Sequence, residues 1–181
     1  MLVCGAEIRL PEWLAALPLP AAPASDAACM RFAINAAREN VARGTGGPFG
    51  AVIRADSTGE IVSVGVNVVP LTGNPVLHAE TVAISLAAEK LASGALTLFT
   101  SCEPCIMCLG ALHWSGIQRI VSAALKADAE AVGFSEGAGT RELRAEMAAR
   151  GVVFGDGLLR EEGAEVLRAF VASGKAIYGP A

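Results

Sequence analysis

Eight consecutive residues, SCEPCIMC at 101–108, hold three cysteines and a glutamate. Cysteines this close together serve as a disulfide, a redox pair or metal ligands. Cys105 and Cys108 form PCxxC, and Pro104 is well placed to open a helix. Thiolates are favoured at such a helix start. The CxxC spacing alone fits both zinc and thioredoxin-type redox chemistry, so the decision rests on a third donor elsewhere. The chain has two histidines. One, His78, stands in HAE at the start of another expected helix. His78, Cys105 and Cys108 make three protein ligands, and three ligands leave a fourth position open, the mark of a catalytic zinc site. Zinc lowers the pKa of a bound water toward neutrality. Glu80, two residues after His78, is placed to exchange a proton with that water.

These residues need elements that bring positions 78 and 105 together. Residues 1–25 hold Pro11, Pro18, Pro20 and Pro23, a density that predicts an irregular arm with one short helical turn near Trp13. From residue 26 to 181 the chain reads as a single domain. Ser25 or Asp26 caps a helix carrying Met30, Ile34, Ala37 and Val41 on one face, and Gly44 ends it. Strands are expected at 49–54, 61–66, 96–100, 117–123 and 152–154, and further helices at 78–91, from Pro104 to Gly116, at 142–150 and at 158–172. The segment 68–77, with Pro70 and Pro75, reads as a loop. This order predicts an α/β fold of three layers, α/β/α, around one mixed five-stranded sheet. Both ligand-bearing helix starts then fall at one sheet edge, where ligands collect in open α/β folds.

Composition narrows the function. Hydrophobic residues make up 53% of 181 and mean hydropathy is +0.49, yet no window offers the roughly 18 uninterrupted apolar residues of a membrane span. The excess lies in alanine and valine. Charged residues are only 18%, which suits a surface partly covered by a partner subunit. The net charge is −4 and the arginines are scattered, without the basic patch that nucleic-acid binding calls for. A small-molecule substrate is expected, with no nucleic acid and no membrane as partner. MLVCGAEIRL lacks a basic start, and Glu7 and Arg9 interrupt any apolar run, so it does not read as a signal peptide and a cytoplasmic location is expected. In a reducing compartment close cysteines act as ligands or catalysts more often than as disulfides.

His78-Ala79-Glu80 followed by Pro104-Cys105-Ile106-Met107-Cys108 is the HxE…PCxxC pattern of the zinc deaminases. The chain resembles the cytidine/deoxycytidylate deaminase superfamily over about residues 28–178. GGPFGAVI, Asn67 after the second strand, TSCEPCIMCLGALHW and ADAEAVGFSEG make it similar to the bacterial guanine deaminases. The resemblance implies a cytidine deaminase-like fold, one Zn2+ per subunit, and a homodimer that is domain-swapped in some relatives. It also implies hydrolytic deamination of a free purine base, guanine first, to xanthine and ammonia. Glu80 would be the proton shuttle and Glu136 a second acidic residue that holds the base. Asn67, Phe49, the backbone at Ala79, Trp114 and Tyr178 would line the pocket. The Pro-rich arm has no match in the shorter members, and the loop VPLTGNPVL varies, so substrate choice is less constrained than reaction class. Guanosine, cytosine or an ammeline-type s-triazine share the N=C–NH2 edge. A tRNA adenosine deaminase and a non-catalytic zinc-binding subunit are the other readings of the same signature.

Overall fold

The computed structural model describes residues 8–179. Five strands form one sheet in the order β2-β1-β3-β4-β5. They are β1 (Gly50–Ala55), β2 (Ile61–Val66), β3 (Leu96–Cys102), β4 (Arg119–Ala124) and β5 (Val153–Gly155). β1 runs antiparallel to β2 and β3, whereas β3–β4 and β4–β5 are parallel. The expected mixed five-stranded sheet is therefore present.

Alternation along the strands builds the two faces. Ala51, Ile53, Leu98 and Ile120 pack under α4 (Ala79–Leu86), α5 (Ile106–Ser115) and α7 (Thr140–Ala149). Val52, Phe99 and Val121 point the other way, against α2 (Asp26–Ala42) and α8 (Arg160–Ala172). Seen this way the molecule has three layers, α/β/α. α2 starts as its sequence dictates, with the Ser25 hydroxyl accepting from Ala28 N at 3.2 Å. α5 ends at Gly116 in the left-handed region, φ 75°, a conformation that suits glycine.

Close approach of α4 to the sheet depends on Gly65 in β2. A Cβ there would lie 2.1 Å from the Ala79 carbonyl oxygen and 2.6 Å from the Ala83 nitrogen. The missing side chain lets the first turn of α4, which carries the HAE residues, sit directly on the strand.

Several boundaries depart from the sequence reading. The 68–77 loop contains a short helix, α3 (Val69–Thr72), with a proline in its first turn. The helix expected over 78–91 stops at Leu86 and tightens into a 3-10 turn at Ala88–Lys90. A further helix, α6 (Lys126–Ala131), follows β4. It carries one buried residue, Ala129, so it has almost no apolar stripe to read. In the arm, the short helix α1 (Glu12–Ala15) forms as expected. Leu10, Trp13, Leu14 and Leu17 pack on a core patch of Val66, Val68 and Val82. Residues 1–7, which include Cys4, and 180–181 lie outside the described residues. Among the described residues no helix is long and apolar enough to cross a membrane.

Candidate metal centre and substrate cavity

His78 is the N-cap of α4 and Cys105 the N-cap of α5, both in extended conformation. Two helix starts thus converge at the carboxyl end of β3, and one turn into α5 Cys108 joins them. His78 Nδ1 lies 3.5 Å from Cys105 Sγ and 3.6 Å from Cys108 Sγ, and all three ligand atoms fall within 4.8 Å of one another. Bond lengths of ~2.3 Å to sulfur and ~2.05 Å to nitrogen at tetrahedral angles place such atoms about 3.6 Å apart. The cluster fits zinc in size and donor type. Cys29 and Cys102 are free and buried and belong to no metal-binding group among the described residues.

Electrostatics within the cluster follow from burial and proximity. Cys105 is pushed down to about 4, first by the hydrogen bond with Cys108 and then, against burial, by His78. Cys108 is pushed well up, first by that same shared hydrogen bond and then by burial. For His78 burial acts downward, but the Cys105 hydrogen bond and charge outweigh it and the net shift is upward. A dication takes both cysteines as thiolates and the imidazole neutral, so metal binding is coupled to proton release here.

Glu80 is 5% exposed. Its Oε1 accepts from Thr100 Oγ1 at 3.0 Å, and Cys108 Sγ lies 3.4 Å from its Oε2. Burial, then the neighbouring Cys105 charge, raises its pKa, as suits a group that carries a proton between water and substrate. Glu136 is 8% exposed and is pushed up to about 8, by burial first and then by Cys105 and Glu80.

A cavity of about 460 Å³ opens over these groups, lined by Phe49, Asn67, His78, Glu80, Phe134, Glu136 and Tyr178 among others. Asn67 is 1% exposed and held on four sides. Its backbone N donates to Phe49 O at 3.1 Å, and its carbonyl accepts from Gly47 N and Asn40 Nδ2. Its Oδ1 accepts from Val69 N at 3.1 Å, which leaves Nδ2 as a buried donor without a protein partner. The Tyr178 hydroxyl is likewise buried and unpaired. A Cβ on Gly47 would come within 1.5 Å of it, so that glycine makes its seat. Phe134 stands edge-on to Phe49 at 5.0 Å and to Tyr178 at 5.6 Å. Two orphaned polar atoms among aromatic walls are what a flat polar heterocycle requires.

Of the sequence-derived site, His78, Cys105, Cys108, Glu80, Glu136, Asn67, Phe49 and Tyr178 come together. Trp114 does not. It is 87% exposed on the last turn of α5, nine residues beyond Cys105, with His113 edge-on to it, outside the cavity of its own chain. For Ala79 the expectation concerned the backbone, at the first turn of α4 beside His78. Its methyl packs into the core against the sheet, leaving only the first N–H of α4 for a ligand. Sequence reasoning passed over Phe134 and Thr100. Phe134 sits inside the quoted GFSEG stretch, whereas Thr100 shares β3 with Thr97 and Ser101, so nothing local singles it out.

Comparison with known proteins agrees with this geometry. Residues 23–124 match the family described as cytidine and deoxycytidylate deaminase zinc-binding region. Guanine deaminase from Bacillus subtilis is 43% identical over 110 residues, 59% of this chain and 69% of that protein. A solved guanine deaminase from Nitrosomonas europaea superposes with a TM-score of 0.86 at 35% identity, over 95% of this chain and 99% of the other. A further solved structure, of a variant in complex with 8-azaguanine, gives 0.87 at 36% identity over 96% and 100%. The chain belongs to the cytidine and deoxycytidylate deaminase family, among the zinc aminohydrolases that include the guanine deaminases.

Proposed function

We propose that this chain deaminates guanine hydrolytically to xanthine and ammonia. The observation that carries the reading is the unpaired Asn67 Nδ2, a fixed donor in the cavity that also holds Glu80, Glu136 and the three metal ligands. Guanine presents ring-nitrogen and carbonyl acceptors that would use such a donor, and the flat aromatic walls suit its ring.

His78, Cys105 and Cys108 would hold zinc, which when bound would supply a water acidic enough to attack at neutral pH. Glu80 takes the proton from the attacking water and delivers it to the ring nitrogen next to C2. Thr100 keeps that carboxylate oriented by its 3.0 Å hydrogen bond. Glu136, with its raised pKa, gives a proton to the departing amine, which leaves as ammonia as the C2–N bond breaks, and takes one back from the C2 hydroxyl as the carbonyl of xanthine forms. Phe49, Phe134 and Tyr178 exclude bulk water.

The same reading makes the protein a cytoplasmic homodimer that takes a small nucleobase and no nucleic acid. A reducing compartment would keep the cysteines free, and the exposed Trp114 supports burial against a second copy. Ammonia release by zinc-loaded protein against guanine, guanosine, cytosine, adenine and ammeline tests the substrate. Turnover confined to guanine supports the reading. Silence on every free base with activity on tRNA would replace it. Sedimentation of wild type and W114A tests the dimer.

A further inference from the structure

The segment that brings Glu136 to the cavity, VGFSEGAG at 132–139, is an irregular connection between α6 and α7. Gly137 and Gly139 lie at φ 75° and 81°, so the backbone has little preference of its own for this path. Two bonds fix it around Glu136. The Glu136 carbonyl accepts from Ile106 N at 3.2 Å, at the start of α5. The next carbonyl, Gly137 O, accepts from Lys126 Nζ at 2.5 Å. The same ammonium lies 3.4 Å from Thr140 Oγ1 and 3.6 Å from Glu130 Oε1.

Lys126 is itself anchored. Its backbone N donates to Glu103 Oε2 at 2.9 Å, and Glu103 Oε1 accepts from Arg144 Nη1 at 2.6 Å. Glu103 sits two residues before Cys105. One connected set of polar contacts therefore sets both the turn that leads into the cysteine helix and the loop that carries Glu136.

We propose that Lys126 is a positioning residue for the deamination, holding the Glu136 carboxyl in place through the Gly137 carbonyl. Lys126 does not line the cavity, so it acts through Glu136, and the inference rests on the reading of Glu136 given above. A charge-assisted bond to a backbone carbonyl on a glycine-rich loop is a strong restraint on an otherwise soft segment. A 1 Å displacement of a reacting group costs about 100-fold in rate.

The test compares Lys126→Met, which keeps the stem without a donor, Lys126→Arg, which keeps a charged donor, Glu136→Gln, and the Lys126→Met/Glu136→Gln double variant. Each is zinc-loaded, with metal content and melting temperature recorded and kcat and KM measured on guanine. We expect K126M to bind zinc fully and lose about 10- to 100-fold in kcat, with KM changed less than threefold. K126R should recover most of the rate, and K126M should add nothing once Glu136 is already Gln. Wild-type kcat in K126M alongside a slow E136Q overturns the proposal, whatever happens to the melting temperature. Multiplied losses in the double variant overturn it too, because Lys126 then acts on something other than Glu136. A wild-type rate in E136Q overturns the reading of Glu136 and this proposal with it. If K126M unfolds the chain, Lys126→Gln, a shorter neutral donor, enters the same comparison with the same criteria.

Discussion

Gly65→Ala places a single methyl between β2 and α4. The added Cβ would start 2.1 Å from Ala79 O and 2.6 Å from Ala83 N, and both are backbone atoms of a packed helix that cannot rotate away. Relief requires α4 to retreat from β2 by roughly 1 Å, because interiors are close-packed and the neighbouring core has no slack. His78 and Glu80 travel with that helix, whereas Cys105 and Cys108 stay with α5. The present His78–cysteine spacings of 3.5 and 3.6 Å match a tetrahedral ion, and a 1 Å retreat spoils them. Overpacking should cost ~1–3 kcal/mol of stability, and misplacement of Glu80 should cost about 100-fold in kcat. Gly110→Ala is the control, since a Cβ there meets nothing within 4 Å and alanine favours a helix interior by ~1 kcal/mol. Zinc content, thermal melting and guanine turnover are measured for both variants. A G65A protein with full zinc and wild-type kcat would refute the claim that the strand glycine sets the position of the HAE turn.

Glu80→Gln should keep zinc and fold while losing at least about 1,000-fold in kcat, the scale of a lost general acid/base; wild-type-like turnover would remove Glu80 from the mechanism. The Glu136 carboxyl keeps its proton below about 8, where burial has placed its pKa, and loses it above. The kcat/KM for guanine should therefore fall as pH rises through about 8, and the E136Q profile should lack that limb. Gly47→Ala would drive the Tyr178 hydroxyl from its seat and raise KM about tenfold, equivalent to ~1.4 kcal/mol, read from initial rates.

The ligand set was legible because its chemistry is encoded in residue type at short spacing. Cysteine at 105 and 108 and histidine two residues before a glutamate leave few other uses, and alternating strands with amphipathic helices place both helix starts at one sheet edge. Trp114 entered the expected pocket through its surrounding word, TSCEPCIMCLGALHW, and not through a position read along the helix. Nine residues of helix carry it out of the cavity to an 87% exposed position. Glu103, the glutamate of SCEPCIMC, is held in its turn by Arg144, 41 residues away. No local pattern announces such a pair. Lys126 was invisible for the same reason. It opens a six-residue helix with almost no apolar face, and its partner is a backbone carbonyl, which any residue type supplies.

His78 and Cys105 are 27 residues apart in the chain, and β3 crosses the sheet between them. An ion bound to both closes that stretch into a ring, much as a disulfide would. By chain-entropy arithmetic, a ring of this length restrains the unfolded chain by about 3.5 kcal/mol. Unlike a disulfide, this link opens when the metal leaves, with no reductant needed. Zinc supply would then set how long the protein survives as well as how fast it turns over, and chain made under metal starvation would be the first to be lost to proteolysis.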